Sequence, residues 1–129
     1  MGDCHRCLFC LKPSVGLVTK IGLFRDSLGY GGTIVENKRL HVTLGITSDY
    51  LEYPHRIVRV MTMVGGLIDA EPFGLPFDRI SGSGSVVALR PSRRPPALGI
   101  LQRQIDRWLT RLGIRREGWI FNPHSTLVY

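Results

Sequence analysis

An α+β fold, with helices packed on mixed or antiparallel sheet, is predicted by three features of the sequence. Apolar residues recur every second position in some stretches and with a period near 3.6 in others. The two kinds of stretch alternate along the chain in the order β-α-β-α-β-β-α-β. In the middle, two strand-like stretches meet at a glycine–serine turn, where a doubly wound parallel sheet would require a helix. A length of 129 residues sets one domain as the expectation. Hydrophobic residues at 43% and charged residues at 21% sit near globular averages and argue against disorder, collagen and coiled coil.

Each element has its own signal. Cys7-Leu8-Phe9-Cys10-Leu11 reads as an apolar strand ending at Lys12-Pro13. Ser14 can cap a helix whose stripe is Leu17, Val18, Ile21, Phe24 and Leu28, with Lys20 and Arg25 off it. Gly29-Tyr30-Gly31-Gly32 ends that helix. Leu40, Val42, Leu44 and Ile46 then alternate with His41, Thr43, Gly45 and Thr47, the pattern of a strand with one buried face. Pro54 opens a second helix with the stripe Ile57, Met61, Val64 and Ile68. Strands at Phe73–Ile80 and Val86–Arg90 flank Ser81-Gly82-Ser83-Gly84-Ser85, which lacks the Gly-Lys-Ser/Thr ending of a P-loop and reads as a hairpin connection. Pro91–Pro96 is a loop. Leu98, Leu101, Ile105, Trp108, Leu109 and Leu112 mark the strongest helix, stopped by Gly113, with Arg103, Asp106, Arg107 and Arg111 on its outer face. Trp119-Ile120-Phe121 and the residues after Pro123 make the last strand.

No apolar run approaches the ~18–20 residues that cross a bilayer, so no membrane association is expected. The start Met-Gly-Asp-Cys-His-Arg lacks the apolar core of a secretory signal, and Arg6 stands where a myristoylation motif needs Ser or Thr. A soluble cytoplasmic protein is the expectation. Seventeen basic residues face ten acidic ones, for a net charge of +7 and a pI near 9.9. Fourteen of the seventeen are arginines, whose planar fork suits bidentate phosphate contact. A polyanionic partner such as nucleic acid and a merely solvated arginine-rich surface explain the excess equally well, and it is spread over both halves of the chain. Cys4, Cys7 and Cys10, with His5 among them, have metal-ligand spacing, but no second ligand cluster follows downstream. The strand reading of that stretch is preferred, and no metal is expected.

The chemistry lies in a repeat. Residues 41–44 read His-Val-Thr-Leu and residues 124–127 read His-Ser-Thr-Leu, 83 positions apart, each in a strand-like stretch. The strand period puts His41 with Thr43 on one face and His124 with Thr126 on one face, while Val42, Leu44 and Leu127 anchor the packing. If the two stretches lie side by side as neighbouring rungs, two imidazoles flank one small site. An unperturbed imidazole near pKa 6.5 can serve as base when neutral and as acid when protonated. Two threonine hydroxyls can then donate to the oxygens of a phosphoryl group between them. A single His-x-Thr on a strand is usually structural; a second copy with the same Thr-Leu ending makes coincidence a poor explanation. His55 reads as an exposed first-turn residue, and His5 belongs to the cysteine-rich start.

The paired motifs resemble the twin signature of the two-histidine phosphoesterases, and among them the RNA 2′,3′-cyclic phosphodiesterases, also called 2′-5′ RNA ligases. Leu8-Phe9-Cys10-Leu11-Lys12-Pro13, Asn37-Lys38-Arg39-Leu40, Phe77-Asp78-Arg79, Leu112-Gly113 and Phe121-Asn122-Pro123 extend the resemblance over residues 7–129. It implies a two-lobed α+β fold with a central cleft holding both motifs. It also implies opening of 2′,3′-cyclic phosphate ends of RNA to 2′-phosphates, without any cofactor. His124 would be the general base, His41 the general acid, and Thr43 and Thr126 the phosphate-binding hydroxyls. Tyr129 falls where many members carry a basic or aromatic residue and would touch base or phosphate. The partners implied are RNA ends or small cyclic phosphodiesters; the oligomeric state is left open. Members usually continue for some tens of residues past the second motif, so a C-terminally truncated domain with missing strands and an exposed sheet edge is expected. A non-catalytic RNA-binding module with the same cleft is the alternative reading.

Overall fold

Ser14 opens the first helix as its sequence predicts: the hydroxyl accepts from the Leu17 backbone N–H at 3.4 Å, and α1 runs Val15–Ser27 until Gly29 turns the chain at φ +68°. A computed structural model describes residues 4–29, 31–83 and 85–129. Gly2, Tyr30 and Gly84, which figure in the readings above, lie outside them. The elements are β1 (Leu8–Leu11), α1, a single 3-10 turn (Asn37–Arg39), β2 (Val42–Ile46), α2 (His55–Leu67), β3 (Arg79–Gly82), β4 (Val87–Arg90), α3 (Pro96–Arg111) and β5 (Ser125–Val128). The predicted order is thus recovered. β1 and β2 form a two-stranded sheet; β3, β4 and β5 form a second, antiparallel one. No helix among the described residues is long and apolar enough to cross a membrane.

The chain divides into two compact units. One gathers Cys10–Thr43, Leu75–Arg93 and Asn122–Tyr129; its core is Leu40, Val87, Leu89, Leu127 and Val128, with Ile21, Leu28, Val35 and Phe77 packed against them. The other contains the N-terminal segment to Phe9, Leu44–Gly74 and Arg94–Phe121; it buries Leu44, Met61, Val64, Leu98, Leu101, Ile105 and Leu109. The stripes read for α2 and α3 supply most of that second set.

Several expectations need correction. Arg25, placed off the stripe of α1, is buried, whereas Leu17 and Phe24 are exposed. Its guanidinium donates to the Val35 carbonyl at 2.6 Å and to Asn37 Oδ1 at 2.8 Å, so its charge is met by fixed acceptors. In β2 the alternation holds from Leu40 to Leu44 and then fails: Thr47, not Ile46, is fully buried. A Cβ on Gly45 would stand 2.8 Å from Ile105 and 2.9 Å from Leu109, so helix α3 closes over that face. The Thr47 hydroxyl is satisfied there, accepting from Cys7 N–H and donating to the Ser48 carbonyl, each at 3.0 Å.

The strand expected at Phe73–Ile80 starts only at Arg79 and runs on to Gly82, taking in the first two residues of the expected hairpin connection. Pro72 and Pro76 carry no N–H to donate, and among the described residues the stretch before Arg79 joins no strand ladder. Pro96 is the first residue of α3 rather than part of the loop, a position where a missing N–H costs nothing. Trp119-Ile120-Phe121 lies outside the last strand, which starts at Ser125. The edge of β5 is not open either: Val35 N–H donates to the Leu127 carbonyl at 2.8 Å, and Thr33 and Tyr129 exchange backbone hydrogen bonds at 2.9 and 2.8 Å. At the other edge of this sheet stands β3, a short strand beyond which the Ser83 hydroxyl accepts from the Ser85 and Val86 N–H groups.

Candidate active site

His41 and His124 hold equivalent places, each the residue immediately before a strand, β2 and β5. Both approaches are stiff. Leu40, fully buried, leaves the 3-10 turn with extended backbone and carries the chain into β2. Before β5, Pro123 fixes its own φ and holds Asn122 away from helical conformation. In both cases the imidazole Nδ1 lies against the carbonyl two residues upstream, 2.7 Å from Arg39 O and 2.6 Å from Asn122 O. A carbonyl only accepts, so Nδ1–H is the donor in each ring. The main chain thus engages Nδ1 of both rings, and Nε2 is the nitrogen on the far side of each.

Alternation along the strands sets the rest. Thr43 and Thr126, two residues beyond each histidine, are half-buried, as the histidines are, while Val42, Leu44, Ser125 and Leu127 between and beyond them are buried. The two motifs are not neighbouring rungs of one ladder, because β2 and β5 belong to different sheets. Their four side chains nevertheless line one pocket of about 110 Å³, together with Val35, Arg39 and Tyr129. All seven residues belong to the same compact unit. No side chain among them is acidic, Arg39 is a fixed cation, and three hydroxyl-bearing side chains and two imidazoles supply donors, a lining suited to an anion. The volume is below the ~300 Å³ at which pockets hold a whole drug-sized ligand, so it suits a single small group such as a phosphoryl. Three larger hollows, of about 410, 240 and 460 Å³, are lined by no histidine among the described residues.

Every residue singled out by the repeat thus reaches the pocket, and so does Tyr129, exposed but with its backbone tied to Thr33. Val35 and Arg39 were not foreseen as lining residues. Arg39 had one available signal, its place two residues ahead of the first histidine, where its carbonyl orients the ring. Val35 had none, since it comes in through its pairing with β5. The remaining histidines lie elsewhere: His5, Tyr53 and His55 stack edge to face in sequence, at 5.7 and 4.5 Å between ring centroids. The three cysteines are free thiols, Cys4 exposed and Cys7 and Cys10 half-buried, and burial pushes the Cys7 thiol above its ordinary pKa. Among the described residues, no three His, Cys, Asp or Glu side chains converge as a metal-ligand set.

The α+β architecture is shared with three solved structures. Escherichia coli LigT, solved in complex with 3′-AMP, matches 98% of this chain and 72% of its own at a TM-score of 0.77 and 21% identity. A structure described as a phosphoesterase matches 95% of this chain and 71% of its own, with a TM-score of 0.79 and 23% identity. TT0787 of Thermus thermophilus matches 95% and 73%, with a TM-score of 0.67 and 19% identity. No protein-family model and no curated protein matches the sequence.

Proposed function

We propose that this chain is a two-histidine phosphoesterase that hydrolyses 2′,3′-cyclic phosphate ends of RNA to 2′-phosphates without a metal ion. One observation carries the reading: two His-x-Thr motifs from separate sheets line a single small pocket, each imidazole oriented by a main-chain carbonyl. The LigT fold supports it, as does the binding of 3′-AMP by LigT itself. In the proposed step, His124 Nε2 takes a proton from a water whose oxygen attacks phosphorus. The P–O3′ bond breaks on the opposite side, and His41 Nε2–H protonates the departing 3′ oxygen. Thr43 and Thr126 donate to the non-bridging oxygens, and Arg39 offsets their growing charge. Tyr129, at the rim, contacts the nucleoside or the phosphate. No cofactor takes part. The reverse reaction, joining a cyclic phosphate to a 5′-hydroxyl, would use the same groups.

The test is turnover of an oligonucleotide ending in a 2′,3′-cyclic phosphate in the presence of EDTA, with the 2′-phosphate as product. His41→Ala and His124→Ala are each expected to lower kcat by about 10²–10⁴, the scale of a lost general acid or base. Undiminished turnover in both variants would remove the assignment. RNA binding that weakens with salt, with no hydrolysis by the unaltered chain, would favour the binding-module reading that the net charge of +7 also supports.

A further inference from the structure

We infer that the exposed face of α3 is a docking track for single-stranded RNA, separate from the histidine pocket and carried by the other compact unit. Arg103, Arg107 and Arg111 recur every four residues, so they lie along one face at intervals of about 6 Å. All three are exposed. Among the described residues none of them has a carboxylate within ion-pair distance, and two acids of the same unit are engaged with other arginines. Asp106, the one acidic residue of α3, is held by Arg115, and Asp49 pairs with both Arg6 and Arg116.

Aromatic rings stand at both ends of this row. At one end the Arg111 guanidinium lies 5.7 Å from the centre of the Trp108 ring, and the two line a hollow of about 240 Å³ with Arg107. At the other, Arg94 lies 5.5 Å from the centre of the Phe121 ring, in a hollow of about 460 Å³ that Arg103 also lines. Ile120, 82% exposed, borders the second hollow and adds apolar surface to it. Guanidiniums without carboxylate partners, with an aromatic ring at each end of their row, match the phosphates and bases of a single strand. Stacking on rings is tolerant of sequence, and backbone charge supplies the affinity. An acidic peptide would satisfy the arginines but would leave the two rings without stacking partners.

The experiment uses a fluorescein-labelled 12-nucleotide oligouridylate with a plain 3′-hydroxyl, which offers the histidine pocket no terminal phosphate. Anisotropy is followed from 50 to 300 mM NaCl. The unaltered chain is expected to bind with an affinity that falls linearly on a log–log plot. R103Q/R107Q/R111Q should flatten that slope by about 2, since each lost contact with a single strand contributes ~0.7. Phe121→Leu should weaken binding at every salt concentration without changing the slope. The triple variant should still hydrolyse a 2′,3′-cyclic mononucleotide at the unaltered rate; a chain that hydrolyses nothing leaves the binding comparison fully readable. The inference fails if oligouridylate does not bind at 50 mM NaCl, if the triple variant keeps the original slope, or if a polyglutamate peptide of equal charge binds as tightly.

Discussion

Single side chains set the geometry of the pocket, and Arg25 is the most informative of them. It sits in the buried stripe of α1 and ties that helix to Val35 and Asn37, directly upstream of Arg39 and His41. Arg25→Met should cost about 1.5–3 kcal/mol, the range for hydrogen bonds to a charged group, because the Val35 carbonyl and the Asn37 amide lose their donor. Urea denaturation would measure this; an unchanged midpoint would mean the guanidinium is dispensable. Asp78 gives a pH-dependent counterpart. The Ser92 hydroxyl and backbone N–H both donate to its carboxylate and hold its pKa below the ordinary value. A depressed carboxylate stabilises the fold above the unfolded pKa near 3.9, and that contribution disappears as pH falls through the lower folded value. Ser92→Ala should move the Asp78 titration upward while the backbone N–H preserves part of the depression. Carboxyl-carbon NMR reads the midpoint directly, and an unmoved midpoint would rule out the hydroxyl as the main cause.

Among the elements, β2 shows where a strand pattern stops being readable. Up to Leu44 one face is buried and the other lines the pocket, and simple alternation identifies both. From Gly45 onward α3 covers the second face, so alternation carries no information and Ile46 and Thr47 exchange their expected places. Gly45→Val should therefore be destabilising by about 1–3 kcal/mol, the usual cost of overpacking, through contact with Ile105 and Leu109. A thermal melt of the variant at or above the original midpoint would show that the helix can give way. Helices α2 and α3 were legible because they are long and amphipathic. The stripe of α1 misleads because a buried arginine, satisfied by a carbonyl, an amide and the neighbouring Asp26 carboxylate, looks like a surface residue in any hydrophobicity pattern. The last strand was drawn too early because Trp119-Ile120-Phe121 is apolar and short, and length alone does not separate a strand from a packed loop.

Across the whole molecule, charge becomes informative only once the chain is folded. Read linearly, the basic excess is spread over both halves. Sorted by compact unit, the one that carries the histidine pocket has eight basic residues against Asp26, Glu36 and Asp78 alone, while the other has nine against seven. The segments that build each unit are interleaved in sequence, so no window along the chain could reveal this. The four motif residues were legible because a short pattern occurring twice survives any fold. That they would come from different sheets was not, because pairing partners are decided by long-range packing. The central claim is that both motifs grip one phosphoryl group. Its most direct test is ¹⁵N-imidazole NMR of the unaltered chain titrated with a nucleoside 2′-phosphate, the proposed product. The Nε2 resonances of His41 and His124 should shift together along one binding curve while those of His5 and His55 stay still. A shift in only one of the pair, or two curves with different midpoints, would contradict the account.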